Sequence, residues 1–454
     1  MRHILIIGAG KSTGVLVNYL LQKNIEHDLF LIIADKDLAH AQTLSQQHER
    51  TSAIALDIFD EASRQEAVEN AHLVISMLPA SLHVVVARDC ITYGKSLVTA
   101  SYVSPEMQEL HEQAVSKGLV FMNEIGVDPG IDHMSAMDII DRLRADGAKI
   151  LLFESFTGGL VAPEHDDNLW NYKFTWNPRN VVIAGQGGAA KFTQEGTYKY
   201  IPYHRLFRRT EFLEVDDYGR FEVYANRNSL QYKDVYGLDD VLTLYRGTMR
   251  RVGFSKAWNM FVMLGMTDDT YVMEGTEHMS NRDFVNSFLP YSPTDSVELK
   301  VRHELKIDQD DIMWGKLLEL DLFNPTKKVG IKDATPAQML QKILEDTWTL
   351  KQGEKDMIVM YHKIGYELDG IKKQIDSTMV CLGDGDKQTA MAKTVGLPVA
   401  IAALKILNSE ITEPGVQIPI KATIYKPILE ELELHGIRFR ESEKPYLGYN
   451  DLNL

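Results

Sequence analysis

The first 126 residues alternate unbroken apolar runs with apolar positions at helical spacing. The runs are HILIIG (3–8), LFLIIAD (29–35), SAIALDI (52–58), HLVISMLP (72–79), SLVTASY (96–102) and LVFMNEIG (119–126). A strand buried on both faces has no polar side to show, so it reads as a continuous run rather than an alternation. Between the runs, Val15, Leu16, Tyr19 and Leu20 fall on one helical face, and DLAHAQTLSQQ and the segments near 61–70, 82–93 and 105–117 read the same way. Ser104-Pro105 opens the last of these, with Ser at the N-cap and Pro at the first helical position. Repeated β-α units of this kind predict a doubly wound parallel sheet.

The pattern changes after Asp128-Pro129-Gly130. A helix over about 132–145 leads into KILLFESFTGG (149–159), followed by irregular stretches rich in Trp, Tyr, Asn and Pro, with strand-like pieces at NVVIAG and FEVYANR. Residues 251–352 read as mostly helical, with Trp258, Phe261, Val262 and Leu264 at core spacing. Strand signals return at 356–368 and 374–383 as a hairpin, and a helix follows over about 388–408. The expected division is a sheet domain at 1–129, a mixed-sheet α+β domain at 130–250 and 353–387 with 411–454, and a helical domain at 251–352. The helix within 388–410 is expected to pack back on the first domain.

Composition narrows the partners. Among 454 residues, 48 Lys+Arg against 64 Asp+Glu give a charge of −16, which argues against a broad nucleic-acid or membrane-surface role. Only Cys90 and Cys381 are present, which excludes a disulfide framework and fits the cytoplasm. The apolar run Ile4–Ile7 is too short for a leader, and LPVAIAALKIL (397–407) falls short of the roughly 20 residues of a membrane span. His303-Glu304 lacks a second histidine at the spacing of a zinc protease, and the 14 histidines show no ligand spacing, so no metal is expected.

The first chemical signal is Gly8-Ala9-Gly10-Lys11-Ser12-Thr13-Gly14, between the first strand and the first helix. Glycines there let the backbone turn and approach a pyrophosphate, and the helix N-terminus supplies N–H donors. The match to G-x-G-x-x-G is imperfect, because Thr13 stands where the third glycine would fall. A triphosphate P-loop is excluded by Leu5, which stands where that motif needs glycine. Asp35, at the end of the second strand, suits the ribose hydroxyls of NAD and repels the 2′-phosphate of NADP; Lys36 and Lys11 temper that, so NADP stays possible. Asp57, Met77, Leu78 and Pro79 lie at further strand ends, where such a cofactor runs along the sheet edge.

Several longer motifs are more specific. SYVSPEM (101–107), MNEIGVDPGIDH (122–133), FTGGLVAPEHDDNLWNYKFTWNPRNV (156–181), YANRNS (224–229), YRGTMR (245–250) and AMAKTVGLPVA (390–400) resemble the saccharopine dehydrogenase (glutamate-forming) family over nearly the whole chain. The resemblance implies a Rossmann domain, a mixed-sheet substrate domain and a helical third domain. It implies NAD(P)-linked oxidation of saccharopine to glutamate and 2-aminoadipate 6-semialdehyde in lysine metabolism, in a homodimer. The matching substrate positions are Ser101, Tyr102, Asp128, Arg227, Thr248 and Arg250. The matching cofactor positions are Gly8, Gly10, Lys11, Ser12, Thr13, Asp35, Lys36, Asp57, Met77, Leu78, Pro79, Thr99, Ala100, Gly126, Val127, Asp128 and Trp176.

Guanidinium groups suit a substrate with three carboxylates. Imine chemistry needs proton transfers, for which Asp128 is the first candidate and Tyr102 the second. His133 reads rather as a structural partner, and Thr157 stands where several relatives carry Cys, which puts a catalytic thiol in doubt. The alternatives are a carboxynorspermidine or lysine-6 dehydrogenase-like oxidoreductase, whose polyamine-bearing substrate would want acids where the arginines stand, and a non-catalytic dinucleotide sensor.

Overall fold

A computed structural model describes residues 1–446 and 448. Along the chain it runs β1 (Arg2–Ile7), α1 (Thr13–Gln22), β2 (Leu29–Asp35), α2 (Leu38–Ser45), β3 (Thr51–Ala55), α3 (Glu61–Glu69), β4 (Leu73–Ser76), α4 (His83–Tyr93), β5 (Ser96–Val98), α5 (Pro105–Gln108), α6 (His111–Ser116), β6 (Val120–Met122) and α7 (Ile131–Ala145). It continues with β7 (Lys149–Val161), α8 (Pro178–Val182), β8 (Ala190–Gln194), β9 (Thr197–Ile201), α9 (Tyr203–Leu206), β10 (Thr210–Val215), β11 (Gly219–Ala225), α10 (Tyr232–Val235) and β12 (Thr243–Arg251). Then come α11 (Phe254–Leu264), α12 (Asn281–Asn286), α13 (Val297–Leu305), α14 (Ile312–Glu319), α15 (Pro336–Trp348), β13 (Asp356–Leu368), β14 (Ile371–Leu382), α16 (Ala390–Leu407), β15 (Gly415–Gln417), α17 (Ala422–Leu434) and β16 (Arg440–Pro445). Two compact units result: Met1–Lys149 with Met379–Arg440, and Ile150–Thr378 with the chain from Glu441 onward.

The first unit is built on a seven-stranded sheet in the order β15-β6-β5-β4-β1-β2-β3. Every pairing in it is parallel. Ile4, Leu5, Ile6 and Ile7 are buried on both faces, which is why that run carries no polar alternation. α16 packs on α1 at close range: a Cβ on Gly396 would sit 2.7 Å from the Ser12 carbonyl oxygen, so only glycine admits this approach. The helix is 18 residues long and apolar enough to cross a bilayer, longer than the 397–407 run suggested, but most of it is buried inside this unit. Residues 411–440, expected with the second sheet, instead add β15 to the edge of this sheet and α17 against α7, where the Tyr425 hydroxyl donates to Asp141 at 2.8 Å.

The second unit carries a nine-stranded mixed sheet with the path β10-β11-β12-β7-β13-β14-β16, while β8 pairs with β12 and β9. β12 runs parallel to β7 and antiparallel to β11. NVVIAG does not form a strand. Asn177 accepts from the Arg179 N–H and Pro178 takes the first helical position, which starts the short helix α8 there. Helices α11–α15 fill the segment expected as a helical domain. Trp258 and Phe261 of α11 and Trp348 of α15 close on Trp170 and Phe254 with ring centroids 5.2–6.0 Å apart. Edge-to-face and offset pairs of this kind contribute about 0.5–1.5 kcal/mol each beyond their buried area.

Candidate functional site

In the first unit, the sequence-predicted residues collect at the carboxyl ends of the parallel strands. Gly8 follows β1 at φ 106°, and a Cβ there would lie 2.8 Å from the Met77 carbonyl oxygen, so the loop depends on this glycine. Gly10 has open space where a side chain would stand. The N–H groups of Gly10, Lys11 and Ser12 make no hydrogen bond among the described residues, and Ser12 does not cap α1 with its side chain. Free donors at a helix N-terminus beside open space fit a diphosphate. Thr13, at the position of the missing third glycine, is buried and closes the loop by donating from Oγ1 to the Gly8 carbonyl at 2.8 Å.

Asp35 ends β2 with both oxygens engaged: Oδ2 accepts from Ala9 N–H at 2.7 Å and Oδ1 from Asp37 N–H at 2.9 Å. It is thus a fixed carboxylate on the glycine loop. Lys36 is exposed, with Nζ 3.7 Å from Asp57, also exposed. Met77, Leu78 and Pro79 follow β4, Thr99 and Ala100 follow β5, and Gly126 and Val127 follow β6, all along the same sheet edge.

Two loops at that edge bring the proposed proton-transfer groups together. The Tyr102 hydroxyl, after β5, donates to Asp128 Oδ1, after β6, at 3.2 Å. Behind them, Glu124 sits at φ 53° and ties the loops: its N–H donates to the Ser101 carbonyl at 3.0 Å, and its Oε1 accepts from Val103 N–H at 3.0 Å. Its Oε2 lies 2.9 Å from Nε2 of His133, which is fully buried, so His133 supports the loops. Asp132 Oδ1 accepts from Gly130 N–H at 2.6 Å and is committed likewise. His83 opens α4 and lies within 2.8 Å of both Ser76 Oγ and Ser101 Oγ. Burial pushes its imidazole down to about 4, which leaves the ring neutral at pH 7.

The second unit presents a different chemistry. Thr248 and Arg250 lie two apart on β12 and so share a face. Register puts Thr157 of β7 and Tyr224 of β11 beside Thr248. The Arg250 guanidinium is buried, 5.0 Å from the Tyr172 ring centroid, 5.9 Å from Tyr224 and 5.4 Å from Phe254. Its Nη1 donates to the Met249 carbonyl at 2.8 Å, but Nε has no partner among the described residues. Thr157 Oγ1, Thr175 Oγ1 and the Tyr172 hydroxyl are also buried without a partner among the described residues. Burial pushes Tyr172 up to about 12, so it stays protonated and able to donate. Buried polar groups left unpaired are costly, and a cluster of donors around a buried cation is what an anion would satisfy. Arg227 lies two residues past β11, exposed and at φ 40°, with no side-chain partner among the described residues. Trp176 is 38% exposed in the loop before α8.

Sequence reasoning missed Tyr172, His83 and Glu124. Tyr172 sits in the aromatic-rich 168–176 stretch, where density of rings was the available signal. A histidine opening a helix just beyond a strand end was the signal for His83.

A parallel sheet with a glycine loop and an acidic β2 terminus defines a dinucleotide-binding oxidoreductase fold. Comparison with known proteins places it more closely. The saccharopine dehydrogenase NADP binding domain matches residues 4–122, and the saccharopine dehydrogenase C-terminal domain matches residues 126–437. The chain belongs to the saccharopine dehydrogenase family. It is 32% identical over 452 residues to the saccharopine dehydrogenase (NADP(+), L-glutamate-forming) of Schizosaccharomyces pombe, covering 97% of this chain and 99% of the relative. It is 31% identical over 448 residues to the protein of the same name from Saccharomyces cerevisiae, covering 97% and 99%. The solved apo structure of the L-Glu-forming saccharopine dehydrogenase of Saccharomyces cerevisiae superposes with a TM-score of 0.88 at 30% identity, covering 98% of this chain and 100% of that one.

Proposed function

We propose that this protein catalyses the NAD(P)-dependent oxidation of saccharopine to L-glutamate and 2-aminoadipate 6-semialdehyde, a reversible step of lysine metabolism. The observation that carries the reading is the buried Arg250, whose Nε has no hydrogen-bond partner among the described residues and whose guanidinium lies 5.0 Å from the Tyr172 ring, a cation that suits a carboxylate. A bound nicotinamide supplies the hydride acceptor. Gly8, Gly10, Lys11, Ser12 and Thr13 would hold its diphosphate, Asp35 with Lys36 and Asp57 would border its adenosine end, and Met77–Pro79, Thr99–Ala100 and Gly126–Asp128 would line the rest.

The remaining chemistry belongs to the chain. Oxidation of the bond between the secondary amine nitrogen and the methylene carbon of the aminoadipate side leaves an imine whose carbon becomes the aldehyde and whose nitrogen stays with glutamate. Water adds to the imine carbon, and the carbon–nitrogen bond breaks to release the two products. Asp128, with Tyr102 hydrogen-bonded to it, takes the proton from the attacking water and delivers one to the leaving amine. Arg227, Thr248 and Arg250 of the second unit would hold substrate carboxylates.

The cofactor preference is for NAD. Both Asp35 oxygens are fixed by backbone N–H groups, so a 2′-phosphate meets a set carboxylate, while Lys11 and Lys36, the latter 3.7 Å from Asp57, temper the repulsion and keep NADP possible. The working form is a homodimer in the cytoplasm. The chain has only two cysteines, Cys90 and Cys381, both buried, which suits a reducing compartment. Purified protein mixed with saccharopine and NAD or NADP is expected to raise absorbance at the reduced-nicotinamide band, faster with NAD. No reduction with either cofactor sinks the reading, and a faster rate with NADP overturns the preference.

A further inference from the structure

Ser76 is the last residue of β4, Thr99 follows β5, and Ser101 lies two residues beyond Thr99. The turn at Ala80–Leu82 swings the chain so that His83 begins α4 between these strand ends. Its Nδ1 lies 2.8 Å from Ser76 Oγ and its Nε2 2.8 Å from Ser101 Oγ, with Thr99 Oγ1 at 3.1 Å from Nε2. No carboxylate contributes to the state of this ring; burial alone sets it, and the ring is neutral at pH 7. A neutral imidazole donates through one nitrogen and accepts through the other. Ser76 is fully buried and has no other hydrogen-bond partner for its hydroxyl among the described residues. An orphaned buried donor costs more than an empty lone pair, and Ser76 at 2.8 Å stands nearer Nδ1 than Thr99 Oγ1 at 3.4 Å, so Ser76 donates to Nδ1. Nε2 then carries the proton and donates to Ser101.

We propose that His83 is a positioning residue whose Nε2–H holds the Ser101 oxygen and so commits the Ser101 hydroxyl proton to a carboxylate of the substrate. The inference rests on the reading of Ser101 as a substrate-binding residue. With its oxygen already accepting from His83, Ser101 faces a ligand as a donor, which favours an anionic group over an ammonium. The polarity of one substrate contact is thus set by a buried chain that starts at Ser76, and His83 need not touch the substrate.

The test has two readouts on the full chain. Histidine-selective ¹⁵N labelling, with the His83 signals assigned by their loss in His83→Gln, is expected to show the neutral Nε2–H tautomer at pH 7. The Nε2 resonance is expected to move in Ser101→Ala. An Nδ1–H tautomer, a charged ring or an unmoved resonance overturns the proposal. In initial-rate assays, His83→Leu is expected to raise the KM for saccharopine about tenfold with kcat within about twofold and dinucleotide affinity unchanged. His83→Gln, which keeps an N–H donor, should recover most of that loss, and the double variant His83→Leu/Ser101→Ala should be no worse than Ser101→Ala alone. Additive losses, or loss of dinucleotide binding in His83→Gln, contradict it. If the native protein turns over no saccharopine at all, the reaction assignment falls, while the tautomer measurement still decides the His83–Ser101 arrangement.

Discussion

The sheet edge of the first unit and the β12 face of the second treat polar groups in opposite ways. At the first, acceptors and donors are paired with one another: Asp35 with two N–H groups, Tyr102 with Asp128, Glu124 with Val103 and His133, His83 with two serines. At the second, Arg250 Nε and the hydroxyls of Tyr172, Thr157 and Thr175 are buried with no partner among the described residues. The first region holds its geometry by its own hydrogen bonds, as proton transfer at a fixed distance demands. The second leaves bonds unmade and so keeps them for a ligand.

Four experiments press on that contrast, from the largest expected effect down. Asp128→Asn keeps the size but removes the base, and kcat should fall about 10³-fold with folding intact, read by initial rates and a thermal melt. A loss under tenfold would remove Asp128 from the reaction. Next, burial raises Glu154 from an ordinary 4.5 to about 7, against the attraction of Lys363 at 3.7 Å, and its Oε1 is another unpaired atom of the second unit. The folded protein keeps a proton that the unfolded chain releases, so stability should fall as pH rises from about 4.5 to 7, by about 3 kcal/mol. Denaturant unfolding of Glu154→Gln should lack that slope; an identical slope would assign it elsewhere.

Arg250→Met should cut kcat/KM for saccharopine about 100-fold while the ligand-free melting temperature stays level or rises, because a buried cation with an unsatisfied Nε has been replaced by an apolar chain. A sharp drop in melting temperature would mean Arg250 is structural. The smallest effect is expected at Asp35→Gly, which should shift the NAD-to-NADP ratio of kcat/KM about tenfold toward NADP. An unchanged ratio would show that Asp35 does not read the ribose.

The parallel core was legible because both-face burial is written locally, as in Ile4–Ile7. What escaped was non-local or very short. β15 is three residues long, and nothing in Gly415–Gln417 announces its pairing with β6, set by a partner almost 300 positions away. NVVIAG read as a strand because its apolar content outweighed the Asn177-Pro178 cap that decides for α8. Thr13 looked like a flaw in the glycine loop, yet its hydroxyl closes that loop. Arg250 was legible only through its motif. Its setting depends on the Tyr172 ring, which packing brings to 5.0 Å from its guanidinium. His83 escaped because its serines, at 76 and 101, are neighbours only once the strand ends are aligned.

The interrupted first unit bears on how the protein is made. Its N-terminal six strands leave the ribosome long before α16, whose Gly396 seats against Ser12, and before β15, which covers the β6 edge. Residues 150–378 are translated in between. At roughly 5–20 residues per second that is a wait of about 10–50 s with an apolar flank of α1 uncovered and one sheet edge open. During that interval the nascent chain is a client for holdase chaperones and a template for intermolecular strand pairing. A fragment ending at Lys149 is expected to aggregate on release, and to be rescued by supplying residues 379–440 in trans.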